Sequence, residues 1–284
     1  MIVDAHQHIW DPNRAHYDWL AGEHPSLQRA IGVTEVVPAL HRCGVEATVW
    51  VQSGDTAADT DLMLESLSQR PDVLAVVGFL PLDRPAAVEA GLERWREQPT
   101  LVGVRNLIHT KADPRWILRA EVAPGLALIE AAGLTFDFVP VQPAQLECVP
   151  ELSARYPDLK MVIDHLAKPP VGLDTVQPWW ELIARAAENP LVNAKISGLY
   201  SATDDPESFT TAQLRPLVDH AFEVFGSDRL MVGSDWPICE PLGGYDRMAG
   251  TAAELIAELT ESERAQVLGD TAAAFYGIDA STRS

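Results

Sequence analysis

Short, nearly continuous apolar segments recur along this chain, and segments with apolar residues three or four positions apart separate them. The apolar segments are rich in β-branched residues, which is typical of parallel strands buried on both faces. The eight predicted strands lie at 2–10, 47–53, 73–82, 101–108, 134–140, 160–165, 192–197 and 229–236. The predicted amphipathic helices between them lie at 58–69, 86–95, 122–132, 144–156, 179–187 and 212–225.

Regular alternation of strand and helix predicts the fold. Eight strand–helix units over roughly 250 residues are typical of a (β/α)₈ barrel, the TIM barrel. We predict one α/β domain over residues 1–284, because no linker or low-complexity stretch divides the sequence. An open, doubly wound sheet is the alternative, but it would need a ligand motif such as Gly-x-Gly-x-x-Gly, which the sequence lacks.

Two segments fall outside the alternation. Residues 11–40 form a long loop after the first strand, and Trp10, Tyr17 and Trp19 make this region aromatic. Loops at the carboxyl ends of barrel strands build active sites, so Trp10 and Tyr17 are predicted either to contact substrate or to pin the loop by packing. Beyond the eighth strand, 245–259 and 261–276 are predicted helices, the second on the outside of the barrel, and 281–284 a frayed tail.

The net charge of the chain limits the kinds of molecule that it can bind. With 41 acidic and 21 basic residues the net charge is −20, which opposes binding to nucleic acid and to anionic membranes. The three cysteines show no paired spacing, no signal peptide precedes the first strand, and no apolar stretch reaches the length of a membrane span. We therefore expect a cytoplasmic protein that acts on a small molecule. A homo-oligomer is compatible with the sequence.

Polar residues at three predicted strand ends indicate chemistry. His6 and His8 are two positions apart on the first strand, so their side chains point to the same face, roughly 7 Å apart along the strand. His165 ends the sixth strand and Asp235 the eighth, which adjoins the first in a closed barrel. Imidazole and carboxylate ligands suit a divalent ion such as Zn²⁺. Asp235 could act as general base towards water, and His165 could bind the metal or the substrate carbonyl.

Five motifs, in this order along the chain, resemble the amidohydrolase superfamily, in its amidohydrolase 2 branch. They are VDAHQHIWDP (3–12), LVGVR (101–105), DHLAKPP (164–170), KISGL (195–199) and GSDWP (233–237). Within the branch the chain is most similar to sugar-acid lactonases, which hydrolyse L-fuconolactone, L-rhamnonolactone and related aldonolactones. The resemblance therefore implies a hydrolase acting on a carboxylic ester bond, in carbohydrate metabolism.

The chain departs from the superfamily in its metal ligands. Many members carry a carbamylated lysine on strand four, where this chain has Arg105 and no lysine, so a binuclear centre is disfavoured. Many mononuclear members carry a histidine on strand five, which this strand lacks. The resemblance thus implies one divalent metal, zinc first, held by His6, His8, His165 and Asp235, or a reaction that dispenses with metal.

Further residues are predicted to bind the substrate. Arg105 corresponds to an arginine at the barrel mouth that contacts a carbonyl or carboxylate, although a structural salt bridge is the alternative. His109 and Lys168 lie in loops at the same end of the barrel, and Trp236 could stack on a sugar ring.

Three other functions stay open at this point. A dicarboxylated lactone, of the pyrone dicarboxylate or muconolactone type, would need several cations around the mouth. A related branch decarboxylates aromatic acids with a similar metal site. A barrel that binds a sugar acid without turnover is the non-enzymatic alternative.

Overall fold

Eight parallel strands form the centre of the computed structural model, which describes residues 1–202 and 209–278. They are β1 (Val3–Gln7), β2 (Ala47–Val51), β3 (Val73–Gly78), β4 (Leu101–Arg105), β5 (Thr135–Phe138), β6 (Met161–Ile163), β7 (Val192–Ile196) and β8 (Leu230–Val232). Each strand pairs with the next in chain order. A parallel bridge between Gln7 and Trp236 then returns to β1. The predicted TIM barrel is therefore confirmed, and the open sheet is excluded.

Every strand is shorter than the apolar run that predicted it. The residues beyond the strand ends leave the sheet and turn into the loops of the barrel mouth. His8, His165 and Asp235 all belong to these outgoing segments. The amide of Asp235 donates to the carbonyl of His6 at 2.8 Å, and the amide of His8 donates to the carbonyl of Trp236 at 2.7 Å. These two bonds hold the ends of β1 and β8 together where the polar side chains meet.

Helices surround the barrel and begin and end at expected signals. They are α1 (Val37–Cys43), α2 (Ala57–Ser66), α3 (Pro85–Trp95), α4 (Ala123–Ala131), α5 (Pro143–Leu146), α6 (Cys148–Arg155), α7 (Trp179–Ala186), α8 (Thr211–Phe225), α9 (Gly244–Leu255), α10 (Glu261–Ala265) and α11 (Thr271–Tyr276). Proline occupies the first turn of α1, α3, α4 and α5, where its missing N–H costs no hydrogen bond. The predicted helix 144–156 is divided into α5 and α6.

A shift in the register of β1 separates the inner from the outer side chains. The pairing of β1 with β2 is interrupted between Asp4 and Gln7, as a β-bulge does. Asp4 therefore lies outside the barrel, where it accepts from Tyr245 Oη at 2.9 Å and from the amide of Ser234 at 2.8 Å. It braces the junction of β1 and β8 directly below the histidines.

The C-terminal helical segment, expected on the outside of the barrel, places the side chain of Tyr276 in the barrel interior. A five-residue π-helical turn, Gln266–Asp270, separates α10 from α11. Tyr276 is 3% exposed and packs with inward-facing residues such as Val49, Val77 and Val162. Its hydroxyl donates to Asp137 of β5 at 2.8 Å. The small side chains on β1 to β3 leave room inside the barrel for this aromatic ring.

Residues 281–284, predicted as a frayed tail, lie outside the described residues. Among residues 1–202 and 209–278, no helix has the length and apolar character needed to cross a membrane.

Candidate active site

The four residues predicted to form the centre of the site come together at the carboxyl ends of the strands. Nε2 of His6 lies 3.0 Å from Nε2 of His8, and Oδ1 of Asp235 lies 3.2 Å from Nε2 of His8 and 3.7 Å from Nε2 of His6. The ring of His165 lies 4.7 Å from that of His6, centroid to centroid. All four side chains are buried. Strand ends 159 residues apart in sequence, at His6 and His165, thus form one cluster.

Backbone conformations at this cluster are unusual. His165, Leu166, Ala167 and Lys168 all have φ between +48° and +59°, and Asp235 has φ +58°. Such left-handed conformations cost roughly 1–2 kcal/mol per non-glycine residue. Two hydrogen bonds oppose this cost: within the turn the amide of Lys168 donates to the carbonyl of His165 at 2.9 Å, and from α7 the indole of Trp179 donates to the carbonyl of Leu166 at 2.7 Å. Strained backbone of this kind is concentrated at functional sites, because it points side chains in directions that an unstrained backbone would not allow.

Two glycines leave space for the reactive side chains. A Cβ on Gly198 would lie 2.6 Å from Nδ1 of His165 and 2.7 Å from Oδ2 of Asp235. A Cβ on Gly233 would lie 2.6 Å from Cβ of His6. Glycine is therefore required at both positions for the cluster to close.

A cavity of about 400 Å³ opens above the cluster. Its floor includes His8, His165 and Asp235, and Arg105, His109 and Lys168, the residues predicted to bind substrate, also line it. The long first loop contributes a wall through Trp19, Glu23 and His24. The indole of Trp19 is held there because it donates to the carbonyl of Ser53 at 2.7 Å.

Three residues predicted to contact substrate lie elsewhere. Trp10 is fully buried and its indole donates to the carbonyl of Leu27 at 3.1 Å. Tyr17 donates to the buried carboxylate of Asp59 at 2.7 Å, and Trp236 is 3% exposed behind the strand end. None of them lines this cavity. Trp10 and Tyr17 thus hold the first loop, as in the packing alternative for these two residues, and Trp236 is buried outside the cavity lining.

The charge states of the site follow from burial. Burial lowers the pKa of His165 and of His109 to about 4. Burial, reinforced by the charge of Lys195, lowers the pKa of His6 well below 6.5. Burial alone would raise the pKa of Asp235, but the neighbouring histidines outweigh it and the pKa lies below 3.8. At neutral pH the site therefore presents an ionised Asp235 carboxylate beside the neutral imidazoles of His6 and His165.

The family model for amidohydrolases (Amidohydro_2) matches residues 3–278. This chain belongs to the amidohydrolase family. An L-fucono-1,5-lactonase of Burkholderia ambifaria is 34% identical over 285 residues, covering 98% of this chain and 96% of that protein. An L-fucono-1,5-lactonase of Burkholderia multivorans is 32% identical, covering 97% and 96%. The crystal structure of a Burkholderia multivorans amidohydrolase with bound zinc superposes with a TM-score of 0.88 at 29% identity, covering 98% and 100%.

The donor set of this amidohydrolase fits a divalent metal. One ligand atom each from His6, His8 and Asp235 lies within 4.8 Å of the others. Nδ1 of His8 lies 2.7 Å from the carbonyl of Val51 and donates to it, so in the neutral ring Nε2 is the nitrogen that keeps its lone pair. Nε2 of His6 lies 3.1 Å from Nη1 of Arg105, and in the tautomer that leaves Nε2 unprotonated its single lone pair can serve either that hydrogen bond or a metal ion. Three electron-rich atoms then converge, and a cation between them would stabilise this arrangement.

Two buried residues of this site were given no role from sequence. Asp164 accepts from Nη1 of Arg105 at 2.9 Å, and Lys195 of β7 lies 3.0 Å from Nδ1 of His6. Both stand inside the matching motifs, and a charged residue within an apolar strand was the available signal. Glu23 and His24 could not be predicted as cavity residues. They lie in a loop, and a loop has no periodic sequence pattern that would indicate which of its side chains face the cavity.

Proposed function

We propose that this amidohydrolase opens the lactone ring of a sugar acid, an aldonolactone such as L-fuconolactone or L-rhamnonolactone, with Asp235 as general base. The observation that carries the proposal is the buried Asp235 carboxylate, whose Oδ1 lies 3.2 Å from Nε2 of His8 on the floor of a cavity. Relatives named L-fucono-1,5-lactonases, at 34% and 32% identity over nearly the full chain, support this substrate class.

The charges around the cavity favour a lactone without extra carboxylates. Arg105 and Lys168 are the cations of its lining, and Glu23 and Asp235 balance them. The guanidinium of Arg105 already donates to Asp164. A dicarboxylate would therefore bring two further negative charges into a site whose net charge is near zero. A cavity of about 400 Å³ is within the range that holds a small polar molecule such as a hexonolactone.

The residues suit water attack on the lactone carbonyl. Asp235 accepts a proton as water oxygen bonds to the carbonyl carbon, and the carbonyl oxygen gains negative charge. His165 can donate Nε2–H to that oxygen, because Ser197 Oγ, 2.9 Å from Nδ1, can donate to the other nitrogen. The ring C–O bond then breaks, and the proton on Asp235 passes to the leaving alkoxide, which gives the open hydroxy acid.

In this proposal His6, His8 and Asp235 hold a single divalent ion, for which zinc is the first candidate. Bound there, it would supply Lewis acidity to the carbonyl oxygen and to the water. A lactone is a reactive ester, so the hydrogen-bonding residues alone could support a slower reaction.

The test is a pH-indicator assay of aldonolactones, with pyrone dicarboxylate and an aromatic carboxylic acid as competing substrate classes. Asp235→Asn should lower the hydrolysis rate at least about 10³-fold, because it removes the base. Asp246→Asn, an exposed aspartate paired with Arg42, is the matched control and should leave turnover unchanged. Near-normal turnover in Asp235→Asn would reject the mechanism. Turnover of the dicarboxylate alone, release of CO₂, or binding without turnover would reject the substrate class.

A further inference from the structure

A fully buried ammonium group lies beneath the catalytic cluster. Nζ of Lys195, on β7, is 2.5 Å from Oδ2 of Asp137, 3.2 Å from Oδ1 of Asp164 and 3.0 Å from Nδ1 of His6. The side chains of Lys195, Asp137 and Asp164 have no exposed surface. Buried charges persist only when they are paired, so these contacts maintain one another.

The charges in this part of the barrel balance. Asp137 and Asp164 carry two negative charges, and Lys195 and Arg105 carry two positive ones. Arg105 reaches Oδ2 of Asp164 at 2.9 Å, while Lys195 reaches Oδ1 of the same carboxylate. Tyr276 completes the shell from below through its bond to Asp137. Each carboxylate is thus neutralised by the protein itself.

The same residues include a second group with the composition of a metal site. His6, Asp164 and His165 each offer a ligand atom within 4.8 Å of the others. Two ligand residues of this group, His6 and Asp164, already contact the ammonium of Lys195, whereas the group formed by His6, His8 and Asp235 meets a cation only at Nε2 of His6, 3.1 Å from Arg105. Lys195 lies beside both His6 and Asp164, and Arg105 lies beside the other oxygen of Asp164. A divalent ion there would meet two positive groups at close range.

We propose that Lys195 is a built-in second cation, which neutralises Asp164, positions His6 beside it, and restricts the centre to one metal ion. Lys195 does not line the cavity, so it is a positioning residue and not a catalytic one. The inference goes beyond the proposed substrate and does not depend on it, because its main consequence is a metal stoichiometry that is measured without any lactone.

The experiment is zinc loading of the full chain. Metal-free protein is incubated with excess Zn²⁺, passed through a desalting column, and its zinc content per chain is measured by mass spectrometry. Lys195→Met should bind about one ion per chain more than the wild-type protein, because it removes the ammonium beside Nδ1 of His6 and Oδ1 of Asp164, two of the three ligands. Lys160→Met, which removes an exposed lysine just before β6, is the matched control and should match the wild type.

Lys195→Met leaves one buried negative charge unbalanced, which could prevent folding. The double variant Asp137→Asn, Lys195→Met removes one charge of each sign and keeps the three ligands. It should also bind about one additional ion. An unchanged zinc content in the folded variant, or two ions in the wild-type protein, would overturn the proposal. An equal increase in Lys160→Met would overturn it too, because the added zinc would then follow from lost surface charge alone.

Discussion

At Gly198, the addition of one methyl group should lower the catalytic rate much more than it lowers the stability of the barrel. It follows β7 with φ +53°, and its Cα faces both His165 and Asp235. In Gly198→Ala the new Cβ would lie 2.6 Å from Nδ1 of His165 and 2.7 Å from Oδ2 of Asp235. Both side chains are buried among other residues, so neither can move without disturbing the cluster.

The size of the effect follows from those distances. To reach ordinary van der Waals contact at 3.4 Å, the two atoms must retreat by roughly 0.7–0.8 Å. A displacement near 1 Å of a reacting group costs on the order of 10²-fold in rate. We expect kcat/KM of Gly198→Ala to fall by about 10–100-fold. The left-handed backbone adds a stability cost of about 1–2 kcal/mol.

Gly133→Ala supplies the matched control. Gly133 has φ +70°, and a Cβ there would meet no atom within 4 Å. It therefore carries the backbone cost without the collision. Thermal melting should show a decrease in Tm of about 2–8 °C for Gly133→Ala, at roughly 2–4 °C per kcal/mol, and a decrease at least as large for Gly198→Ala, which adds the collision. Lactone hydrolysis should fall only in Gly198→Ala. Activity of Gly198→Ala within about 3-fold of Gly133→Ala would refute the reasoning, since the crowding would then have no catalytic consequence.

Two further predictions concern His109 and Tyr17. The pKa of His109 is lowered to about 4, so between pH 6.5 and pH 4 the unfolded chain binds the proton that the folded chain refuses. As the pH falls through this window, the wild-type protein should lose about 3 kcal/mol more unfolding free energy than His109→Gln. Urea unfolding across the range measures this, and parallel pH curves would contradict it. Tyr17→Phe removes the hydroxyl that donates to buried Asp59, which should cost about 1–3 kcal/mol of stability and leave kcat unchanged. Loss of kcat at unchanged stability would contradict this and would indicate that Tyr17 contacts the substrate.

The barrel could be predicted from the sequence because its signal is repeated. Eight apolar runs alternate with helical periodicity, and each unit supports the same architecture. The C-terminal segment could not be placed this way. A helix that covers the outside of a barrel and one that closes its end both need an apolar face, and only the position of Tyr276 beside Asp137 distinguishes them.

Part of the site was also predictable, because strand geometry fixes it. Side chains two apart on a strand share a face, and the last strand of a barrel adjoins the first, so His6, His8 and Asp235 had to meet. The wall of the cavity had no such rule. Trp10, Tyr17 and Trp19 are equally aromatic and close in sequence, yet only Trp19 faces the cavity.

The residues that sequence reasoning missed share a physical reason. Lys195 and Asp137 are 58 residues apart, and their contact depends on which way each strand turns its side chains inside the barrel. That orientation can shift at a bulge, as it does in β1 between Asp4 and Gln7. Local propensity also fails at the strained positions, because the left-handed conformation is unfavourable for non-glycine residues and the chain holds Leu166 and Ala167 in it beside His165. A site whose residues satisfied every local preference would leave these side chains pointing away from one another. The positions at which the backbone departs from local conformational preference are therefore the positions at which the barrel orients its reactive side chains.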